Sequence, residues 1–219
     1  MSKEKNTLPL FLLPSVVLFP GMNLPLFIFE DKYKEMISSC MKNDKTFGVV
    51  FLRGNVCADI GTTAEIVDVE KTQDGNLNIL SEGKKRFKII DIVKEEPYYE
   101  AIVELYEDTD AKITTGINKS LTEIKKLSKN ALSMFDMISN QELSKKIKLP
   151  EKPNDLLFLI AGNLTCSFES KQTILETQSI KDRTKKILSL LKEEIKRLEI
   201  LLKNKETKPA VEKNGKLKI

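Results

Sequence analysis

The 219-residue sequence predicts an α+β protein, a mainly antiparallel strand region with one inserted helix followed by a helical bundle. Three observations carry this. Short apolar and β-branched runs separated by turn residues continue to about Leu105. The pair Asp74-Gly75 stands between two such runs, as in a tight hairpin. After the acidic cluster Glu107 to Asp110 the apolar period changes from two residues to 3.6.

The densest apolar stretch, Leu8 to Tyr33, holds two strand-like runs, Leu8 to Leu13 and Leu24 to Phe29. Each contains a proline, which removes a ladder donor and suits a sheet edge or a strand start. Phe19-Pro20-Gly21 reads as a turn, with Pro fixing φ and Gly tolerating a positive φ. Glu30-Asp31 then put negative charge at the N-terminus of a short helix carrying Tyr33, Met36, Ile37, Cys40 and Met41. Asn43-Asp44 ends it.

Thr46 to Leu52 is a further strand, closed by the turn Arg53-Gly54-Asn55. Val56 to Val69 supplies one or two more, with Gly61 marking a bulge or a close backbone approach. A break is expected at Glu82-Gly83. Arg86 to Val93 resumes the pattern, and Tyr99, Ala101, Val103 and Leu105 alternate with Glu100 and Glu104 across a buried and a wet face. The total is about seven strands.

Beyond the acidic cluster, Leu121, Ile124, Leu127 or Ser128, Ala131, Phe135 and Ile138 define a helix from about Thr115 to Ile138. Asn154 is expected to cap a second, nearly all-apolar helix through Leu156 to Ala161, ending at Gly162-Asn163. Ser170 opens a third, carrying Ile174, Leu175 and Ile180. The last keeps Leu188, Leu191, Ile195, Leu198 and Leu202 at seam spacing. That run covers about two heptads, short of a coiled coil, so packing onto its own bundle is preferred to self-association. The expected units are residues 1–108, β-rich; 109–202, helical; and 203–219, a basic disordered tail.

Composition excludes much chemistry. There is no histidine, which removes every His-dependent triad and the commonest metal ligand. Cys40, Cys57 and Cys166 form no CxxC pair and suggest neither disulfides nor zinc. The net charge of +4 equals that of residues 203–219 alone, so the rest of the chain balances to zero. Only four of 36 basic residues are arginines, and no basic stripe with interleaved aromatics occurs, so nucleic acid is not an expected partner. No apolar run reaches the ~18 residues of a membrane span, and Pro9 and Pro14 argue against a signal peptide, giving a cytoplasmic reading.

Gly83-Lys84-Lys85 fails as a phosphate loop, because Asn78 stands where the first glycine is needed and Lys85 where Ser or Thr is. No GxGxxG occurs. Glu100 and Glu104 belong to a solvated strand face rather than to an acid/base pair. A Ser-Lys site lacks a glycine-framed serine and an oxyanion-hole signature. No cofactor, metal or catalytic residue is expected, and what remains is a binding surface.

An ordered set of motifs carries a family likeness. Leu8-Pro9-Leu10-Phe11, Leu13-Pro14, Val17, Phe19-Pro20, Pro25-Leu26, Ile28-Phe29-Glu30 and Tyr33 resemble the amino-terminal, substrate-binding domain of Lon proteases. In the same order follow Phe47-Gly48, Gly61-Thr62, Ala64, Ile66, Asp74-Gly75, Gly83, Arg86-Phe87, Pro97-Tyr98, Val103-Glu104, then Lys171-Gln172, Leu175-Glu176 and Arg183. Lys32 departs from the ExRY turn by keeping the charge of arginine without its planar fork. No ATPase or protease module accompanies these motifs. The resemblance implies a stand-alone LON-domain protein, a strand pseudo-barrel with a helical bundle, acting as a non-enzymatic polypeptide-binding module. Met22, Phe29, Asp31 and Lys32, near the turn and the helix start, are its candidate contact residues. A scaffold self-associating through the C-terminal helix is the alternative, which leaves homo-oligomers open.

Overall fold

The computed structural model describes residues 7–109 and 113–207. Strands β1 (Thr7–Leu13) and β2 (Asn23–Ile28) precede helix α1 (Asp31–Lys42), followed by β3 (Thr46–Arg53), β4 (Val56–Cys57), β5 (Ile60–Lys71), β6 (Leu77–Lys94) and β7 (Tyr99–Leu105). The helices are α2 (Thr115–Ser139), α3 (Leu143–Lys146), α4 (Pro153–Asn163), α5 (Phe168–Glu176) and α6 (Ile180–Thr207).

The sheet follows the order β1-β7-β6-β5-β3, and a parallel β1–β3 pairing, Leu10↔Gly48 to Leu13↔Phe51, returns it on itself. β2 stands apart from this ring and, among the described residues, pairs only with the first half of β6. The prolines fit their places. Pro9 pairs opposite Glu100 of β7, before the β1–β3 ladder begins at Leu10, so its missing N–H costs no bond on the other side. Pro25 lies in the edge strand.

The expected break at Glu82-Gly83 does not end a strand, because β6 runs through it for 18 residues. Glycine is needed there for another reason. A Cβ at Gly83 would stand 2.4 Å from the Phe19 carbonyl oxygen, where the turn after β1 crosses the sheet. Gly21 N–H donates to the Gly83 carbonyl at 2.7 Å and Gly83 N–H to the Met22 carbonyl at 2.8 Å. Gly61 is a close approach of the kind expected, its Cβ position 2.6 Å from both the Val49 oxygen and the Phe87 ring.

Barrel and helices share core. Phe19 and Ile60 are buried with Ile124, Leu157, Leu175 and Leu191. A second cluster joins α1, through Met36, Ile37 and Cys40, to Phe11, Phe47 and Ile79. On α6, Leu191, Ile195 and Leu198 are buried in the chain's own bundle, while Leu105, expected on the inner face of β7, is exposed.

Several helix boundaries differ from expectation. α4 starts with Pro153 at its first position and no side-chain cap, so Asn154 is not the cap. α5 begins at Phe168, its cap being Ser167, which accepts from the Ser170 N–H. Ile180 starts α6, a separate helix. The chain is helical from Lys203 through Thr207, where a disordered tail was expected. Lys205 Nζ there donates to the carbonyls of Met137 and Ile138 and to Asn140 Oδ1, at 2.7 to 3.0 Å, covering the open end of α2. The rest of the expected tail, residues 208–219, lies outside the described residues. No described helix is long and apolar enough to cross a membrane.

Candidate functional site

Alternation along β2 buries Leu24 and Ile28 and leaves Asn23, Pro25 and Phe27 outward. Phe27 and, just past the strand, Phe29 are 55% and 61% exposed, with ring centroids 6.2 Å apart. The two rings form a small exposed aromatic patch beside the start of α1.

Helix α1 begins at once and sets the charged rim. Lys32 Nζ lies 3.1 Å from Glu30 and 4.8 Å from the Tyr33 ring centroid. Asp31 pairs with Lys34 at 3.2 Å. The Glu30 hydrogen bond and the Tyr33 hydroxyl hold the Lys32 ammonium above its ordinary pKa. Tyr33 stacks on Phe11 at 4.1 Å, and burial pushes its phenol up. The rim is therefore paired and close to neutral.

Of the sequence-derived candidates, Phe29, Asp31 and Lys32 stand together here. Met22 does not, since the whole of β2 separates it from them. Its side chain is packed against both large cores and lies close to Gly162 of α4, whose added Cβ would fall 3.0 Å from Met22 Cε. The exposure of Phe27 was missed because its run reads as a buried strand. Only its parity, outward with Pro25, could have revealed it.

Behind the barrel lies a polar cluster that sequence also missed. Asp108 accepts from Arg86 Nη2 at 2.5 Å, from both terminal nitrogens of Arg183, and from Asn154 Nδ2 at 2.6 Å. Arg86 donates further to the Leu175 and Thr177 carbonyls, and Arg183 to Thr177 and Asn154 Oδ1. The guanidiniums lie 5.5 and 4.6 Å from the Phe158 ring centroid. Arg183 is fully buried. Burial pushes the Asp108 carboxyl up, but the hydrogen bonds and charges of Arg183 and Arg86 outweigh it and hold the group below the usual carboxylate range. One acid thus fastens β6, α4 and α6, and its two arginines reach the α5–α6 turn at Thr177. Apart from the buried Arg183 Nε, which has no hydrogen-bond partner among the described residues, the cluster's polar groups are used on one another and on nearby carbonyls, and it holds barrel and helices together.

An apolar concavity of about 240 Å³ opens between α2, α3, α4 and α6, lined among others by Phe135, Leu143, Ile147 and Leu159. Among the described residues no three of His, Cys, Asp and Glu are placed to hold a metal. Cys40, Cys57 and Cys166 are free thiols, and burial raises Cys40 to about 11.

Comparison with known proteins places this geometry. Residues 7–193 match the family model described as ATP-dependent protease La (LON) substrate-binding domain. The chain is 29% identical over 210 residues to a Lon protease of Cytophaga hutchinsonii, covering 91% of this chain and 26% of that protein. It is 31% identical over 196 residues to Lon protease 2 of Myxococcus xanthus, covering 85% and 23%. The chain spans about a quarter of the length of these relatives. Its fold resembles a Lon N-terminal domain protein from Xanthomonas campestris, with TM-score 0.65 and 23% identity over 84% of this chain and 98% of that one. It also resembles the N-terminal domain of Mycobacterium avium complex Lon protease, with TM-score 0.68 and 18% identity over 86% and 99%. A seven-stranded sheet with a helical C-terminal region, matched over most of its length by model, sequence and fold, belongs to the LON substrate-binding domain family.

Proposed function

We propose that this chain binds unfolded or extended polypeptide through the face made by β2 and the start of α1, as a recognition module without catalytic chemistry of its own. The observation that carries the reading is the exposed Phe27–Phe29 pair on a domain whose family is described by substrate binding. Aromatic rings tolerate many partners, as a receptor of diverse chains requires. Because the rim charges are paired within the chain, the face offers no cationic track for a phosphate backbone, which favours polypeptide over nucleic acid. The alternative, assembly through α6, has less support, because Leu191, Ile195 and Leu198 of its seam are buried inside the bundle.

The test is fluorescence anisotropy with labelled, reduced and carboxymethylated α-lactalbumin, which stays unfolded. Substituting both Phe27→Ser and Phe29→Ser should weaken binding about tenfold or more, as loss of aromatic anchors does at other interfaces, at unchanged melting temperature. Equal affinity of variant and wild type overturns the assignment.

A further inference from the structure

We infer that the outer edge of β2 captures an extended polypeptide segment as an added antiparallel strand. This rests on the polypeptide-binding reading and specifies how the segment is held. The phase of the β2–β6 ladder decides which groups are available. Gly83 N–H donates to the Met22 carbonyl, and the register runs from Asn23↔Glu82 to Ile28↔Leu77. Bonding alternates along an antiparallel pair, so Leu24, Leu26 and Ile28 exchange their bonds with β6. Asn23, Pro25 and Phe27 direct their main-chain groups to the other side. Pro25 agrees with this phase, because a residue without an N–H can occupy only an outward position without breaking the ladder. Among the described residues, no strand other than β6 pairs with β2, and no main-chain bond from another segment reaches these three residues.

The edge therefore presents two donors, at Asn23 and Phe27, and three carbonyl acceptors, spaced roughly 6.7 Å apart as in any strand. The Phe27 ring stands beside this row and Phe29 just past its end, both exposed. At the observed exposure the two rings offer roughly 200 Å², well under the ~800 Å² per partner of a standard protein interface. That area is small for a folded partner or a second copy, and it suits a single strand whose main chain makes the remaining contacts. Main-chain pairing reads no sequence, while the rings favour apolar side chains at alternate positions. Pro25 interrupts the donor row and keeps the edge from pairing indiscriminately.

The experiment uses the full chain and a fluorescein-labelled octapeptide alternating valine and threonine between terminal lysines, followed by anisotropy. The same peptide N-methylated at every residue, which has no main-chain donors, should bind at least about tenfold more weakly. Phe27→Pro should bind several-fold more weakly than Phe27→Ala, separating loss of the N–H from loss of the ring. Pro25→Val, which restores a donor, should tighten binding about threefold or more, and this arm and the N-methyl arm stand even if Phe27→Pro unfolds. Equal binding of the N-methylated peptide, with loss of affinity in the Phe27→Ser/Phe29→Ser variant, overturns strand addition and leaves the polypeptide-binding face intact. Failure of the octapeptide and of unfolded α-lactalbumin alike overturns both. A concentration-dependent dimer in sedimentation velocity that Phe27→Pro dissolves gives the edge to a second copy and overturns the inference.

Discussion

Replacing Asp108 by asparagine keeps the size of the side chain and removes the carboxylate shared by two buried guanidiniums. The Arg183 side chain is fully buried and that of Arg86 is 4% exposed, so neither can recover its loss in water. Removing one partner of a buried ionic network leaves the other charged and unpaired, at about 3 to 5 kcal/mol. Against the roughly 5 to 15 kcal/mol that separates most folded chains from unfolding, that is a large fraction. In urea, with a slope of about 2 to 3 kcal/mol/M for a chain of this size, the midpoint should fall by roughly 1 to 2 M. Arg197→Ala, which breaks the more exposed Arg197–Glu194 pair, should cost less than about 1 kcal/mol. The pH dependence has a definite sign. Because the folded-state pKa of Asp108 lies below its unfolded value, its contribution is present above that value, about pH 4, and is lost as the pH falls through the folded pKa. Wild type should therefore approach the variant in stability at acid pH and exceed it at neutral pH. A midpoint shift under about 0.5 M at neutral pH, with unchanged slope, would refute the assignment of Asp108 as the fastener.

Two further perturbations follow from close contacts. Gly83→Ala forces a methyl toward the Phe19 carbonyl and should lower the melting temperature by roughly 4 to 10 °C by calorimetry. Gly75→Ala meets no atom within 4 Å and should cost only the ~1 kcal/mol of its positive φ. Met22→Ala should destabilise by about 1 to 3 kcal/mol, since Met22 packs against both large cores. Phe29→Ala should stay within about 0.5 kcal/mol of wild type by thermal unfolding.

Local chemistry made most elements legible. Asp74-Gly75 and Arg53-Gly54-Asn55 are turns at positive-φ glycines, as their residues predict. The 3.6-residue period that predicts a helix from Thr115 corresponds to α2, Thr115–Ser139. What sequence could not supply was any relation between distant segments. Glu82-Gly83 looks like punctuation, and only the crossing of the turn at Phe19 shows that the glycine makes room inside a continuous strand. Asp108 sits in a polar run that reads as a linker, and its meaning depends on Arg86, Asn154 and Arg183, which lie 22, 46 and 75 positions away. Of the candidate contact residues, charge and position were enough to place Asp31 and Lys32 at a helix start. The inward turn of Met22 depends on α4, far along the chain, and no local pattern announces it.

The closure of the sheet also orders events in time. β1 meets β3 about forty positions later, Leu10 beside Gly48, but its other neighbour arrives only with β7, where Thr7 pairs with Ile102. At synthesis rates of about 5 to 20 residues per second, one flank of β1 waits roughly 5 to 20 s for its partner. Through that interval an apolar strand stands half-paired, and such a strand is an invitation to wrong partners. Under the polypeptide-binding function proposed above, the domain passes, during its own synthesis, through the condition of the chains it would bind.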